Sequence, residues 1–406
     1  MLNIFWLFLI LFLISFSFFI IRRINFKVFN LKEILKSFKG ESLLGLFMTL
    51  GTKIGVGSII GTTAMIYVGG AGSIFWMWIF TLITSSLIYI EVKIGSKFKE
   101  KKEDIYLSGP YFIIKNGINN KKLATIATLI LVITYSLIFL MIQTNTISSI
   151  ILLNIDISKT LILIILFLFL LLTVIFNLNE VLNIMNYIVP CMCTLFIIIS
   201  RVVIFKNIES IPYIFKDIFY SALNPKSFLT GLLIGVRRSV FLNELLVGTT
   251  SSTGIVSSKN DEKTALIQVF GSYFITFIIG TLNAFIVLIF LDKNILVVNN
   301  YNELINNVFL SHFGNMGSYL LIVLLLLFGI TTILSGIYIG VSNLKVICNN
   351  NTSSFIFKIF VILFSCIGLY INVDLIWEIT DIFLLVLLSI NSYSLIKIVR
   401  GKYDWK

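Results

Sequence analysis

Long apolar runs alternate with short polar connections along this chain, and the length of the runs decides its class. Residues 2–21 carry no charge and match the roughly 20 residues that a helix needs to cross a hydrocarbon core. Comparable runs follow at 43–68, 73–95, 123–153, 161–177, 181–204, 228–256, 265–291, 317–344, 355–371 and 375–398. The pattern predicts an all-α integral membrane protein of about 11 transmembrane helices. A cleaved signal peptide has a shorter core, with charge in front and small residues behind. Here Arg22, Arg23 and Lys27 come after the first run instead, so it reads as a retained helix.

Two of the runs are interrupted in kind. Residues 43–68 contain GTKIGVGSIIGTT, with Gly51, Gly55, Gly57 and Gly61 close together and Lys53 among them. Glycines at this density either let the backbone open, leaving polar groups that need partners inside the membrane, or let another helix approach closely. Five spans later, 228–256 carry Arg237, Arg238, Asn243 and Glu244, followed by hydroxyls from Thr249 to Thr253. An intramembrane charge costs at least about 2.5 kcal/mol on insertion scales and usually faces a functional cavity. Interrupted helices at matching positions of two five-helix halves point to a secondary transporter built as a 5+5 inverted repeat, with its substrate near the midplane. The expected organisation is an N-terminal helix with a basic cytoplasmic segment (1–40), a first repeat (41–205), an interfacial connection (206–227), and a second repeat with a short cytoplasmic tail (228–406).

Composition agrees. Of 406 residues 58% are hydrophobic and 12% charged, and the mean hydropathy is +1.02, which excludes a large soluble catalytic domain. Lys and Arg number 31 against 19 Asp and Glu, a formal charge of +12. In a membrane chain this excess sets topology and does not indicate nucleic acid. Residues 22–39, 97–122 and the tail with Lys397, Arg400, Lys402 and Lys406 are rich in Lys and Arg. They predict a multi-pass protein of the cell inner (plasma) membrane, N-terminus outside and C-terminus cytoplasmic. Lys206, Lys216 and Lys226 fall on the outer side, where the segment IPYIFKDIFYSALNP is expected to lie along the membrane surface. Asn-rich stretches such as 349–351 read as polar loop tips. Cys191, Cys193, Cys348 and Cys366 read as buried small hydrophobes, the first two on nearly opposite sides of one helix. His312, the only histidine, sits in a loop-like SHFGN and supports no metal site.

The residues also resemble a family. The run GVGSIIGTTAMIYVGGAGSIFWMW from Gly55 to Trp78 is similar to a signature of the alanine or glycine:cation symporter family of the amino acid-polyamine-cation superfamily. Glu91, the SGPY at Ser108 to Tyr111, the Q-x-N of Gln143 and Asn145, FLNELLVGT at Phe241 to Thr249, and HFGNMG, TTIL and DLIW follow in the family's order. The resemblance implies a leucine-transporter-like 5+5 fold with one extra N-terminal helix, and import of a small neutral amino acid with sodium, or with a proton.

A zwitterion needs backbone N–H groups at a helix break to meet its carboxylate. The candidates for substrate binding are Gly55, Gly57, Ser58, Gln143, Asn243 and Gly248. Thr331 and Thr332 stand where the family has hydroxyls suited to sodium, although a Thr pair in a membrane helix is often only bonded to its own carbonyls. Lys53 stands where the family has Thr, too deep to snorkel; its ammonium either takes the place of one cation, paired with carbonyls or with Glu244, or is a fixed structural charge in a carrier with one ion site fewer. Leu245 and Leu246 replace Ala-Gly, and Gly336 replaces Trp, changes expected to reshape the pocket. Arg238 and Asp381 match charged family positions and form a candidate outer gate, with Glu378 one turn from Asp381. Sodium or a proton, the amino acid and the lipid bilayer are the implied partners; no cofactor beyond the ion, obligate protein partner or enzymatic activity is implied. The competing reading is a transporter-like receptor or regulator that binds its ligand without turnover.

Overall fold

The computed structural model describes residues 2–39, 43–102, 105–256, 260–293, 298, 300–348 and 350–401; Asn349, Lys402 and Lys406 lie outside these. Helix α1 (Leu2–Arg23) is followed by the short α2 (Leu31–Ser37). The first interrupted run becomes α3 (Leu44–Lys53) and α4 (Val56–Gly69), bent by 46° across residues 54–55. Helix α5 (Gly72–Lys97) leads into a hairpin, β1 (Glu100–Lys102) and β2 (Ile105–Leu107), and then α6 (Pro110–Ile118). Antiparallel pairing of Glu100 with Leu107 makes the hairpin the sheet among the described residues, in a connection the hydrophobic pattern leaves featureless.

Helices α7 (Lys121–Ile133) and α8 (Phe139–Asn154) are continuous through a π-helical turn, Thr134–Ile138. After α9 (Lys159–Ile175) and α10 (Leu178–Lys206) comes α11 (Ile211–Leu223). It buries Ile214, Ile218 and Ala222 and exposes Tyr213, Phe219 and Tyr220, the two-faced character expected of a surface-lying segment. The second interrupted run becomes α12 (Phe228–Asn243) and α13 (Thr249–Gly254). Helix α14 (Asp261–Tyr273) continues through a second π turn, Phe274–Gly280, into α15 (Thr281–Lys293). Helices α16 (Tyr301–Phe313), α17 (Asn315–Ile347), α18 (Asn351–Gly368) and α19 (Val373–Arg400) complete the chain.

Among the described residues seven helices are long and apolar enough to cross a membrane, and the bent α3–α4 pair makes an eighth. Helices α9 and α18 are shorter apolar helices. The chain is thus a helical, multi-pass membrane protein.

Asn350, in the stretch that reads as a polar loop tip, starts a helix, and other asparagines do the same. The side chains of Asn120, Asn177, Asn260, Asn300, Asn350 and Asn372 each accept a backbone N–H from the first turn that follows, which satisfies a donor the helix cannot. At α10 the arrangement is reciprocal: Glu180 N–H donates to Asn177 Oδ1 at 3.0 Å and Asn177 N–H to Glu180 Oε2 at 2.9 Å.

Helix α5 is the axis of the bundle, flanked by α12, α14, α1 and α11. Helix α1 seats Trp6 against Arg237 of α12, whose guanidinium lies 5.3 Å from the indole centroid. At one end of the bundle the start of α14 gathers three segments. Lys27 pairs with Glu262 at 2.5 Å, Lys99 pairs with Asp261 at 2.8 Å, and Lys263 donates to the Lys39 carbonyl at 3.0 Å. Two expectations need correction. His312 lies in the last turn of α16 and not in a loop, and burial there holds its imidazole below the ordinary value, helped by Lys293 and Lys206. Cys193 is buried, but Cys191 and Cys348 are exposed and Cys366 is intermediate; Cys191, two residues from Cys193 on α10, lies on another face of that helix.

Candidate functional site

The first break is short and tightly held. Gly55 is extended at φ −105°, and the next residue begins α4. Of the backbone N–H groups exposed there, that of Val56 donates to Gln143 Oε1 at 2.9 Å. Ser58 turns its hydroxyl back to the Gly55 carbonyl at 2.7 Å. The glycines serve close approach as well as opening. A methyl on Gly55 would strike the Thr332 hydroxyl, one on Gly61 the Arg238 guanidinium, and one on Gly57 would come within 3.3 Å of Phe241. Gln143 and Asn145, two residues apart on α8, face different ways. Asn145 donates to the Gly368 and Ile371 carbonyls, both at 2.8 Å, and so fastens α18.

The second break is longer and strained. Glu244 (φ 47°), Leu246 (φ 54°) and Gly248 (φ 95°) all sit in the left-handed region, which costs a residue with a side chain of order 1–3 kcal/mol. Neighbours impose the shape. Asn391 of α19 donates to the Leu246 carbonyl at 3.0 Å, and Gly248 packs against Pro110 at the start of α6 so closely that any Cβ would collide with its ring. Leu245 and Leu246 are fully buried. Asn243 faces away from the first break: its amide donates to Thr81 Oγ1 at 3.0 Å, the Ser239 carbonyl at 2.9 Å and Thr276 Oγ1 at 3.2 Å, a knot joining α12, α5 and the second π turn. The space beside Gly336 is filled by Leu140 and the Tyr135 carbonyl, so the lost tryptophan leaves no hollow there.

Three charged side chains lie between the breaks. Lys53, in the last turn of α3, is 5% exposed, Glu91 of α5 is 2% and Glu244 is 3%. They interact electrostatically with one another. Lys53 Nζ donates to Ser272 Oγ at 3.4 Å, and no ion pair joins it to Glu244 within 4.0 Å among the described residues. Glu91 Oε1 accepts from the Ser251 N–H at 3.2 Å and its hydroxyl at 2.9 Å, at the start of α13. Glu91 enters the cluster on the same logic of intramembrane charge that marks Glu244, and sequence reasoning had used it only as a family match. Tyr135, in the first π turn, also faces the two acids and was not foreseen.

The two threonines of α17 differ. Thr332 Oγ1 reaches the Gly51 carbonyl at 3.4 Å as well as its own Phe328 carbonyl at 2.8 Å, so it stands over the end of α3. Thr331 is turned to Met192 of α10 and to its own helix carbonyls. Above the first break, Arg238 donates to the Gly57 carbonyl at 3.3 Å and lies 4.7 Å from the Phe241 ring and 5.3 Å from that of Trp377. Among the described residues no ion pair joins it to Asp381 within 4.0 Å. Asp381 and Glu378 instead line, with Arg237, Arg238, Tyr301 and Asp374, an open cavity of about 320 Å³. Aromatic side chains thus close the first break from that cavity, with the Arg238 guanidinium laid across them.

The chain matches the model of the sodium:alanine symporter family over residues 1–403. It is 27% identical over 401 residues, 94% of this chain and 84% of the relative, to the probable sodium/glutamine symporter GlnT of Bacillus subtilis (strain 168). It is 24% identical to the amino-acid carrier protein AlsT of the same organism, over 86% of this chain and 76% of that one. To the sodium/proton-dependent alanine carrier protein of Bacillus sp. (strain PS3) it is 24% identical, over 89% of this chain and 86% of the relative. A match along nearly the whole length, through both broken helices, places this chain in the sodium:alanine symporter family.

Proposed function

We propose that the protein imports a small neutral amino acid of alanine or glycine size, coupled to a sodium or proton gradient by alternating access. The observation that carries this reading is the pair of broken helices with buried charge between them. Lys53, Glu91 and Glu244 lie where α3–α4 and α12–α13 open, each less than a tenth exposed. Charge kept inside a membrane bundle at such cost has a use when an ion or a polar cargo visits it.

In this reading Gln143 holds the place of the substrate carboxylate. Its Oε1 occupies the Val56 N–H at the start of α4, and an entering carboxylate takes that donor over with the N–H of Gly57, while Ser58, whose N–H and hydroxyl both donate to the Gly55 carbonyl, shapes the turn. Gly248 and Asn243 act from the second repeat, the first by permitting the turn, the second by fixing α12. Thr332 with the Gly51 carbonyl offers hard oxygens to sodium, and Thr331 contributes through its backbone. Lys53 takes the place of one cation. Arg238 exchanges its seat on Phe241 and Trp377 for Asp381 as the outer gate opens or shuts. The halves 41–205 and 228–406 are the two five-helix repeats, 206–227 joins them, and α1 stands outside. The clustering of Lys27, Lys39 and Lys99 around the start of α14 supports a cytoplasmic placement of that end in the plasma membrane, with the N-terminus outside.

Purified protein in proteoliposomes, given labelled alanine, glycine, serine or glutamine under imposed sodium or pH gradients, tests the reading. Accumulation that collapses when the gradient is dissipated is expected. Saturable binding with neither uptake nor counterflow would replace the carrier by a receptor.

A further inference from the structure

We infer that Glu244 is the group through which this protein takes up and releases a proton, within a buried cluster formed with Glu91 and Lys53. The inference rests on the transport reading above and adds a proton site to it, apart from the oxygens at Thr332 offered to sodium.

The first ground is charge. One ammonium and two carboxylates leave one negative charge uncompensated in a site that water does not reach, and a low-dielectric interior does not tolerate that. The charged and titratable groups facing Glu244 among the described residues are Lys53 from α3, Glu91 from α5 and Tyr135 from the first π turn. Helix α13 presents the Thr249 hydroxyl, α14 presents Ser272 to Lys53, and α19 presents only the Asn391 amide, to Leu246. None of these supplies a second positive charge.

The second ground is hydrogen bonding, and it distinguishes the two acids. Glu91 has its Oε1 filled twice by Ser251, and only its Oε2 is buried without a partner. Glu244 has both carboxylate oxygens buried without a hydrogen-bond partner; the Thr249 hydroxyl faces it but falls short of bonding geometry. Glu244 also caps the C-terminus of α12, where the last carbonyls make a negative charge unwelcome. A buried acid with no donors, at the wrong end of a helix, is stabilised by protonation. A sodium ion would need a shell of hard oxygens, and two carboxylate oxygens and one hydroxyl beside an ammonium fall short of one.

The step is simple. An O–H bond forms between one Glu244 oxygen and a proton delivered from water on the outer side, and the same bond breaks to cytoplasmic water when the second break turns inward. Lys53 keeps its proton throughout and balances Glu91. Because Glu244 is itself one of the left-handed residues of the break, loss or gain of its charge acts directly on the hinge that has to move.

Infrared titration of the purified protein from about pH 5 to about pH 9, following the protonated-carboxyl band, tests the site without requiring turnover. A titrating band is expected in the wild type and lost in Glu244→Gln. It is retained in Glu244→Asp, and in Lys53→Met it persists to more alkaline pH by at least about one unit, because the counter-charge is gone. An unchanged band in a folded Glu244→Gln, or a band abolished at every pH by sodium alone, would overturn the inference. Should Glu244→Gln not fold, Lys53→Met still decides, since a band that keeps its pH range in that variant refutes the cluster. In proteoliposomes, pH-driven uptake by the wild type and pH-independent uptake by Glu244→Gln are expected. Absence of uptake of any amino acid would defeat the transport reading while leaving the infrared result to judge the proton site.

Discussion

The two helix breaks divide the same task differently. At residues 54–55 the chain opens over an extended glycine, with no residue in the left-handed region, and the exposed Val56 N–H is met by Gln143. At 244–248 it opens through three left-handed residues, two of which carry side chains, and leaves both oxygens of Glu244 unmet. The first break is relaxed and satisfied, and the second is strained and polar. A relaxed break suits a site that waits for a ligand, because a neighbour can stand in for it. A strained one suits a hinge, because its energy is already raised and its position is held by α6 and α19 instead of by its own preferences.

The contrast can be broken at its strongest point. Gly248→Val adds a branched side chain at φ 95° and drives it into Pro110. A loss of about 2–6 kcal/mol is expected from strain and overpacking together, read as a large fall in the melting temperature in detergent. Melting close to wild type would mean that the second break is not held as described. Gln143→Leu tests the other side. It removes the acceptor for a buried N–H, so about 1–3 kcal/mol of stability should go, and added substrate should restore more of it than in the wild type. If substrate gives no extra protection, Gln143 is a structural tie and not a placeholder.

Smaller effects sharpen the picture. Thr332→Val should weaken the apparent sodium affinity by roughly fivefold, the equivalent of about 1 kcal/mol, whereas Thr331→Val should leave it unchanged, since only Thr332 reaches α3. Equal losses in sodium-dependent uptake would contradict the assignment. Smallest of all, Asp261→Asn at the rim removes an ion pair with Lys99 whose acid is 43% exposed, and should cost less than about 1 kcal/mol in thermal unfolding. An effect rivalling that of Gly248→Val would show that the charged rim, not the breaks, dominates stability.

Much of this architecture is written in hydrophobic run length. The long helices and both interruptions can be read from runs of apolar residues punctuated by glycine or charge, because a membrane enforces those features residue by residue. What cannot be read is direction. Asn243, Gln143 and Thr331 are equally polar in sequence, yet one faces α5, one the first break and one α10, and rotation about a helix axis depends on packing with distant segments. The π turns escaped for a related reason: Thr134–Ile138 and Phe274–Gly280 carry no proline or charge to announce them. Glu91 and Tyr135 join the centre only through the folding of α5 and the first π turn against the second break.

The asparagine caps carry a consequence for a machine that works between compartments of unequal acidity. An amide neither gains nor loses a proton in the range where carboxylates do, so the helices begun by Asn177, Asn260, Asn300, Asn350 and Asn372 keep their starts on either side of the bilayer. Aspartate in those places would have tied the frame to the surrounding acidity. The starts of these five helices therefore add nothing of their own to the protein's response to protons.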